Sequence, residues 1–239
     1  MKRLLAFDIE TAKILPESAG DLLAHRPLGI TCAAATARDL PEPIVWHGHE
    51  ESGGPSPRMG REEAVRLVAD IERLRAQGYK LVTWNGAGFD FLILAEESGL
   101  WERCARLAAD HIDMFFHALC SLGHFVSLQR AAEGMGLEGK PEGMSGVMAP
   151  ALWAAGRHEE VLRYCRQDVR TTLGLAIACE EQGRLRWVTR SGGRGLLALP
   201  SGWLTVQEAG RLPLPDTSWM SSPPSRESLT GWFPKGVSA

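Results

Sequence analysis

Three groups of residues have types and spacings suited to chemistry. The first is Phe7-Asp8-Ile9-Glu10-Thr11. On a strand, residues i and i+2 share a face, so Asp8 and Glu10 project together while Phe7 and Ile9 take the other side. Two neighbouring carboxylates near the end of a buried strand repel each other and are costly to desolvate. A divalent cation compensates both effects, and hard oxygen donors suit Mg²⁺ or Mn²⁺. The plainer alternative is a strand end with two exposed acids. The second group is Trp84-Asn85-Gly86-Ala87-Gly88-Phe89-Asp90. A strand here runs into a glycine-rich turn, and Asp90 opens a helix, where an acid also suits the helix dipole alone. The turn lacks the Gly-Lys-Ser/Thr ending of a phosphate-binding P-loop. Its two glycines permit close approach of another backbone. The third group is Tyr164-Cys165-Arg166-Gln167-Asp168. A spacing of four stacks Tyr164 and Asp168 on one helix face. They border the apolar stripe of Val161, Cys165, Val169, Thr172 and Ala176.

The elements that must position these residues follow from hydrophobic periodicity and turn chemistry. Strands are predicted over Leu4 to Glu10, Leu28 to Thr36, Pro43 to Gly48 and Lys80 to Trp84, with a short one within His111 to Met114. A helix is predicted from Arg61 to Gln77, where Ala64, Leu67, Val68, Ile71 and Leu74 share a face and Gly78 ends it. Another runs from about Phe89 to Glu97, a third follows Met114, and Ser127 caps one reaching about Met135. Gly136 to Pro150 is rich in Gly and Met and reads as irregular. His158 to Gln182 is a long amphipathic helix. This order predicts an α/β domain over residues 1–185, its sheet mixing antiparallel and parallel pairs. Residues 186–239 form a C-terminal extension. Leu185 to Thr189 and Leu196 to Leu199 suggest a hairpin, and Thr205 with Glu208 a capping box. The rest is irregular, and the extension as a whole holds Trp187, Trp203, Trp219 and Trp232. A disordered tail is seldom so aromatic, so these tryptophans are expected to pack on the domain as core.

Composition narrows the classes. The chain has 239 residues, with 26 basic and 29 acidic side chains and a formal charge of −3. No broad basic footprint advertises nucleic-acid binding, though local basic rims stay open. No apolar run of about 18 residues implies a membrane span. The opening Met1 to Phe7 begins like a signal peptide, but Asp8 and Glu10 interrupt it. The five cysteines are scattered without a CxxC pair, which suggests reduced, buried thiols in a cytoplasmic protein. His47 and His49 have strand spacing for a metal pair, but no third ligand lies nearby in sequence. Asp113 reads either as support for a metal site or as structural. Arg163, Arg166 and Arg170 follow helical spacing near Arg157, as a phosphate-tracking rim or as a solvated helix face.

Taken together, FDIET near the N-terminus, NxxxFD after a middle strand and YxxxD on a late helix resemble the DEDD superfamily of 3′–5′ exonucleases. YxxxD points to its tyrosine-bearing subgroup. Within it, the chain is most similar to predicted bacterial exonucleases related to the proofreading domain of family-B DNA polymerases. The resemblance covers roughly residues 1–185, with His111-Ile112-Asp113-Met114 and Gly139-Lys140 as weaker matches; Lys140 either contacts a phosphate or decorates a loop. It implies a ribonuclease H-like fold, a mixed five-stranded sheet flanked by helices. It implies that Asp8, Glu10, Asp90 and Asp168 hold two Mg²⁺ or Mn²⁺ ions about 4 Å apart, with Asp8 bridging them. Tyr164 would orient the attacking water, being a poor base at neutral pH. Thr11 and Asn85 would touch the terminal nucleotide, and Phe89 would lie near its base. The partner implied is the 3′ end of single-stranded DNA or RNA, DNA favoured on subgroup resemblance, with nucleoside 5′-monophosphates released. Against the subgroup pattern, Gly86-Ala87-Gly88 is very small, which leaves little bulk to press on a substrate. Two other readings stand beside this one: a non-catalytic nucleic-acid-binding module on the same fold, or a ribonuclease H-like endonuclease.

Overall fold

The computed structural model describes residues 3–137 and 146–237. Its centre is β1 (Arg3–Thr11), in which only Arg3 is exposed. A strand that buries both faces belongs inside a sheet covered on both sides. Leu4 and Ala6 face one core with Cys32, Ala34 and Val82; Leu5, Phe7 and Ile9 face the other with Ala33, Ala35 and Leu81. On one side β1 pairs antiparallel with β2 (Ile30–Ala37), which pairs antiparallel with β3 (Ile44–His47). On the other side, after α1 (Arg61–Ala76), it pairs parallel with β4 (Tyr79–Thr83). Then come α2 (Asp90–Ser98), α3 (Trp101–Asp110) and the two-residue β5 (Ile112–Asp113), parallel to β4. The sheet order is β3-β2-β1-β4-β5, the mixed five-stranded sheet expected from the sequence.

Helices α1, α2 and α3 cover one face. The other is covered by α4 (Met114–Leu122), α5 (Leu128–Gly134), α6 (Ala149–Ala154) and the long α7 (His158–Gln182). The α7 stripe Val161, Cys165, Val169, Thr172 and Ala176 is buried throughout. Gly183 ends α7 in the left-handed conformation, its N–H donating to Cys179 O. Helices α3 and α6 escape the sequence reading. α3 follows α2 after only Gly99 and Leu100, and most of its buried residues are small: Cys104, Ala105, Ala108 and Ala109. α6 has six residues, too few to show a period.

The hairpin forms from β6 (Arg184–Val188) and β7 (Arg194–Ala198). α8 (Val206–Ala209) carries the predicted capping box, with Glu208 N–H on Thr205 Oγ1 and Thr205 N–H on Glu208 Oε2. α9 (Glu227–Thr230) follows. Trp187 and Trp203 are buried in the α7-side core, and Trp232 packs against the other core. Trp219 departs from the expected pattern: it is 68% exposed. Arg226 knits the extension to the domain. Its guanidinium donates to the carbonyls of Gly210 (2.9 Å), Leu212 (2.7 Å), Pro213 (2.9 Å) and, at the end of α4, Cys120 (2.9 Å). All five cysteines are buried and free. Among the described residues no helix is long and apolar enough to cross a membrane. Arg226→Ala strands several carbonyls at once and is expected to cost about 1.5–3 kcal/mol, read as a lower urea midpoint at unchanged m-value.

Candidate active site

The ladder between β1 and β4 ends at Ala6 and Val82, while β1 runs on to Thr11. Past that point β4 gives way to the turn before α2, and the β1 edge meets Asp90 instead of a strand. Ile9 N–H donates to Asp90 Oδ1 at 3.0 Å. A third carboxylate is thereby fixed to the backbone between Asp8 and Glu10. The β1–β2 register shifts between Glu10 and Thr11, a bulge of the kind that re-aims side chains beside functional sites. α7 crosses the sheet face from which Asp8 and Glu10 project, and Cys165 Sγ points its proton at Asp8 O, 3.9 Å away. One helical turn apart, Tyr164 and Asp168 are both buried against the same space. The result is a cleft of about 470 Å³ lined by Asp8, Glu10, Thr11, Asn85, Phe89, Asp90, Tyr164 and Asp168, all of the site residues expected from the sequence. Glu10, Asp90 and Asp168 are buried and Asp8 is half-buried.

Such a set suits a cation. Ligand atoms of Asp8, Glu10 and Cys165 lie within 4.8 Å of one another. Hydrogen bonding with Cys32, burial, and the charges of Asp8 and Glu10 all hold the Cys165 thiol well above its usual range, and so protonated. With the thiol protonated, the donors presented are the carboxylate oxygens of Asp8 and Glu10, which hard divalent cations favour.

The turn that carries Asn85, Phe89 and Asp90 is fastened from two sides. Asn85 has φ of 74°, a left-handed conformation that Asn tolerates better than most residues. Below it lies Asp113, fully buried at the end of β5. Its carboxylate accepts the N–H groups of Asn85 (2.9 Å), Ala87 (2.8 Å) and Phe116 (3.1 Å). Asp113 thus holds the turn's backbone and does not line the cleft. Thr83 Oγ1 accepts Gly86 N–H at 3.0 Å and bonds His111 Nε2 at 2.9 Å. His111 Nδ1 lies 2.7 Å from Ala108 O, which can only accept, so the ring donates there and Thr83 donates to Nε2. Burial pushes the His111 pKa down to about 3, in keeping with this neutral ring. Above the turn, Trp232 Nε1 donates to Ala87 O at 2.8 Å. A Cβ on Gly88 would meet Leu229 Cδ2 at 2.5 Å, and one on Gly86 would meet Thr83 Oγ1 at 2.4 Å. The turn is small because Thr83 and the C-terminal extension press on it.

Other sequence features resolve more simply. The His47 and His49 rings are 4.4 Å apart, but the three-ligand group among the described residues is the Asp8 cluster. Arg157, Arg166 and Arg170 pair with Glu160, Glu159 and Glu42. Gly139 and Lys140 lie outside the described residues. A larger cavity of about 560 Å³ sits at the opposite end of β1, between Leu4, Leu173 and Ile177; its wall has no cluster of metal ligands among the described residues. The sequence reading missed the cleft's lip, Gly20 to Leu23, where Asp21 caps a turn of 3₁₀ helix through Leu23 N–H. An Asp before Leu-Leu signals a cap, but nothing local says what it will face.

Comparison with known proteins agrees with this fold. The chain belongs to the RNase H superfamily, whose family model matches residues 56–179. That span includes Asp90, Tyr164 and Asp168 and leaves out Asp8 and Glu10. Among solved structures, the family B DNA polymerase of the hyperthermophilic archaeon Pyrobaculum calidifontis is similar at a TM-score of 0.55 and 21% identity. The match covers 75% of this chain and 24% of that one, so the chain spans about a quarter of the polymerase's length, and the likeness is one of fold. No curated protein matches the chain.

Buried Asp113 has its pKa raised to about 6: desolvation raises it, and the N–H groups of Ala87, Phe116 and Asn85 pull it back. An unfolded Asp titrates near about 3.9. The folded protein therefore holds this proton more tightly, and the group's contribution to stability falls as pH rises from about 4 to 6. Asp113→Asn removes that slope and sets an amide N–H against a backbone N–H. The variant is expected to lose about 1–3 kcal/mol in urea melts at neutral pH, with a flatter stability profile between those pH values.

Proposed function

We propose that the protein is a metal-dependent 3′–5′ exonuclease acting on single-stranded nucleic acid, DNA in preference to RNA, and releasing nucleoside 5′-monophosphates. The observation that carries this reading is the convergence of Asp8, Glu10, Asp90, Asp168 and Tyr164 on one cleft, on an RNase H superfamily fold. The four carboxylates would hold two Mg²⁺ or Mn²⁺ ions. When bound, such ions lower the pKa of water and offset charge on a scissile phosphate. Tyr164 contributes a hydroxyl that orients the water rather than deprotonating it. Asn85 Oδ1 is buried and accepts no hydrogen bond from the described residues, so it offers an acceptor to a terminal nucleotide's hydroxyl or amino group. Thr11 and Phe89, which line the same cleft, would contact the terminal nucleotide and its base. In this reading residues 186–239 belong to the same functional unit as 1–185, because Leu229 and Trp232 buttress the turn. The five buried thiols fit a reducing cytoplasm.

The test uses 5′-labelled single-stranded DNA and RNA of one sequence, with Mg²⁺, Mn²⁺ or EDTA. A metal-dependent ladder shrinking from the 3′ end is expected, stronger on DNA. Asp8→Ala should abolish it, and Tyr164→Phe should slow it by about 10²-fold without loss of fold. Cleavage of a circular single strand would instead reveal an endonuclease. Binding without cleavage in either metal would leave a nucleic-acid-binding module.

A further inference from the structure

Outside the carboxylate cluster, a connected run of aromatic rings leads from the cleft to the surface. Trp84, half-buried, lines the cleft. Its ring meets Phe115 edge-on at 6.2 Å, and Phe115 stacks on Phe125 at 4.9 Å with only 10° between planes. Phe125 is 51% exposed, so a large apolar ring on a parallel stack faces solvent. The loop bearing it is held at both ends. Gly123 caps α4 with its N–H on Leu119 O, Ser127 caps α5, and Val126 is buried between them. Behind it, Pro215 and Thr217 crowd the position of Gly123. The neighbouring His124 leads on to exposed Trp219, ring centres 6.4 Å apart.

We propose that the rings of Trp84, Phe115 and Phe125 form a stacking platform for the bases of a single strand upstream of its 3′ end. This rests on the exonuclease reading for its direction. Three observations favour a strand over a protein as occupant. The run is continuous with the cleft through Trp84, its outermost stacked ring lies parallel to its neighbour as a base would, and it sits on a fixed loop. Every base has a face to offer such a ring, so the platform gives affinity without sequence preference. The substrate is thereby a strand of several nucleotides, whose bases beyond the terminal one contribute to binding.

The experiment is fluorescence anisotropy of a 5′-labelled oligothymidylate in EDTA, where hydrolysis is blocked. KM for the same strand in Mg²⁺ is measured beside it. Phe125→Ala should raise Kd by about 5- to 100-fold, and KM with it. Phe125→Trp should keep the wild-type affinity, while Phe125→Leu, equally apolar but without a ring face, should behave like the alanine variant. Equal Kd for wild type and Phe125→Ala overturns the platform. Equal loss on a structured duplex without a free strand also overturns it. A wild type that binds the strand in this ring-dependent way but never cleaves it would sink the exonuclease reading while the platform stands. Cleavage with no dependence on Phe125 would do the reverse.

Discussion

Four carboxylates that repel one another surround a cleft of about 470 Å³, and the scaffold must hold them there against that repulsion. Backbone anchoring is a large part of how it does so. Asp8 and Glu10 ride on the central strand of the sheet, whose other face is locked by Phe7 and Ile9. Asp90 is tied to that strand by the N–H of Ile9. Asp168 is set by a helix whose stripe is buried from Val161 to Cys179. None of these anchors is a surface ion pair, so salt does little to weaken them.

The same logic extends to the turn between β4 and α2. Asn85 sits in a left-handed conformation, and Gly86 and Gly88 have no space for a side chain. A turn with so little bulk of its own could not hold Asp90 in place unaided. Asp113 gathers its N–H groups from below and Trp232 takes its carbonyl from above. The buried Asp113 charge is costly, which shows in its raised pKa, but its removal leaves donors facing nothing. The extension thus reaches the cleft through the turn, without placing a residue in the cleft wall among the described residues.

Much of this was legible in the sequence wherever a local period governs the structure. The i, i+2 pairing of Asp8 with Glu10 and the i, i+4 pairing of Tyr164 with Asp168 follow from strand and helix geometry alone. The α7 limits, His158 and Gln182, follow from an unbroken stripe closed by Gly183. What stayed hidden has no local period. α3 follows α2 after two residues, and most of its buried side chains are small. Asp113 reveals its partners only when β5 is laid beside β4. Trp219 and Trp232 look alike in sequence, yet one is exposed and the other closes a turn far away in the chain. The lip from Gly20 to Leu23 is placed by tertiary packing against a strand it does not pair with.

The bond from Trp232 to Ala87 spans 145 residues. Contacts of such sequence separation form late, because the loop they close must be ordered first. A chain emerging from the ribosome presents Asp8 and Glu10 early and can fold its sheet once β4 and β5 are out. The turn that aims Asp90 gains its upper clamp only after Trp232 has been made. Maturation of the cleft is therefore coupled to near-completion of this stretch of chain, and a nascent or prematurely terminated polypeptide can be folded at its centre while its carboxylate cluster is still loosely aligned.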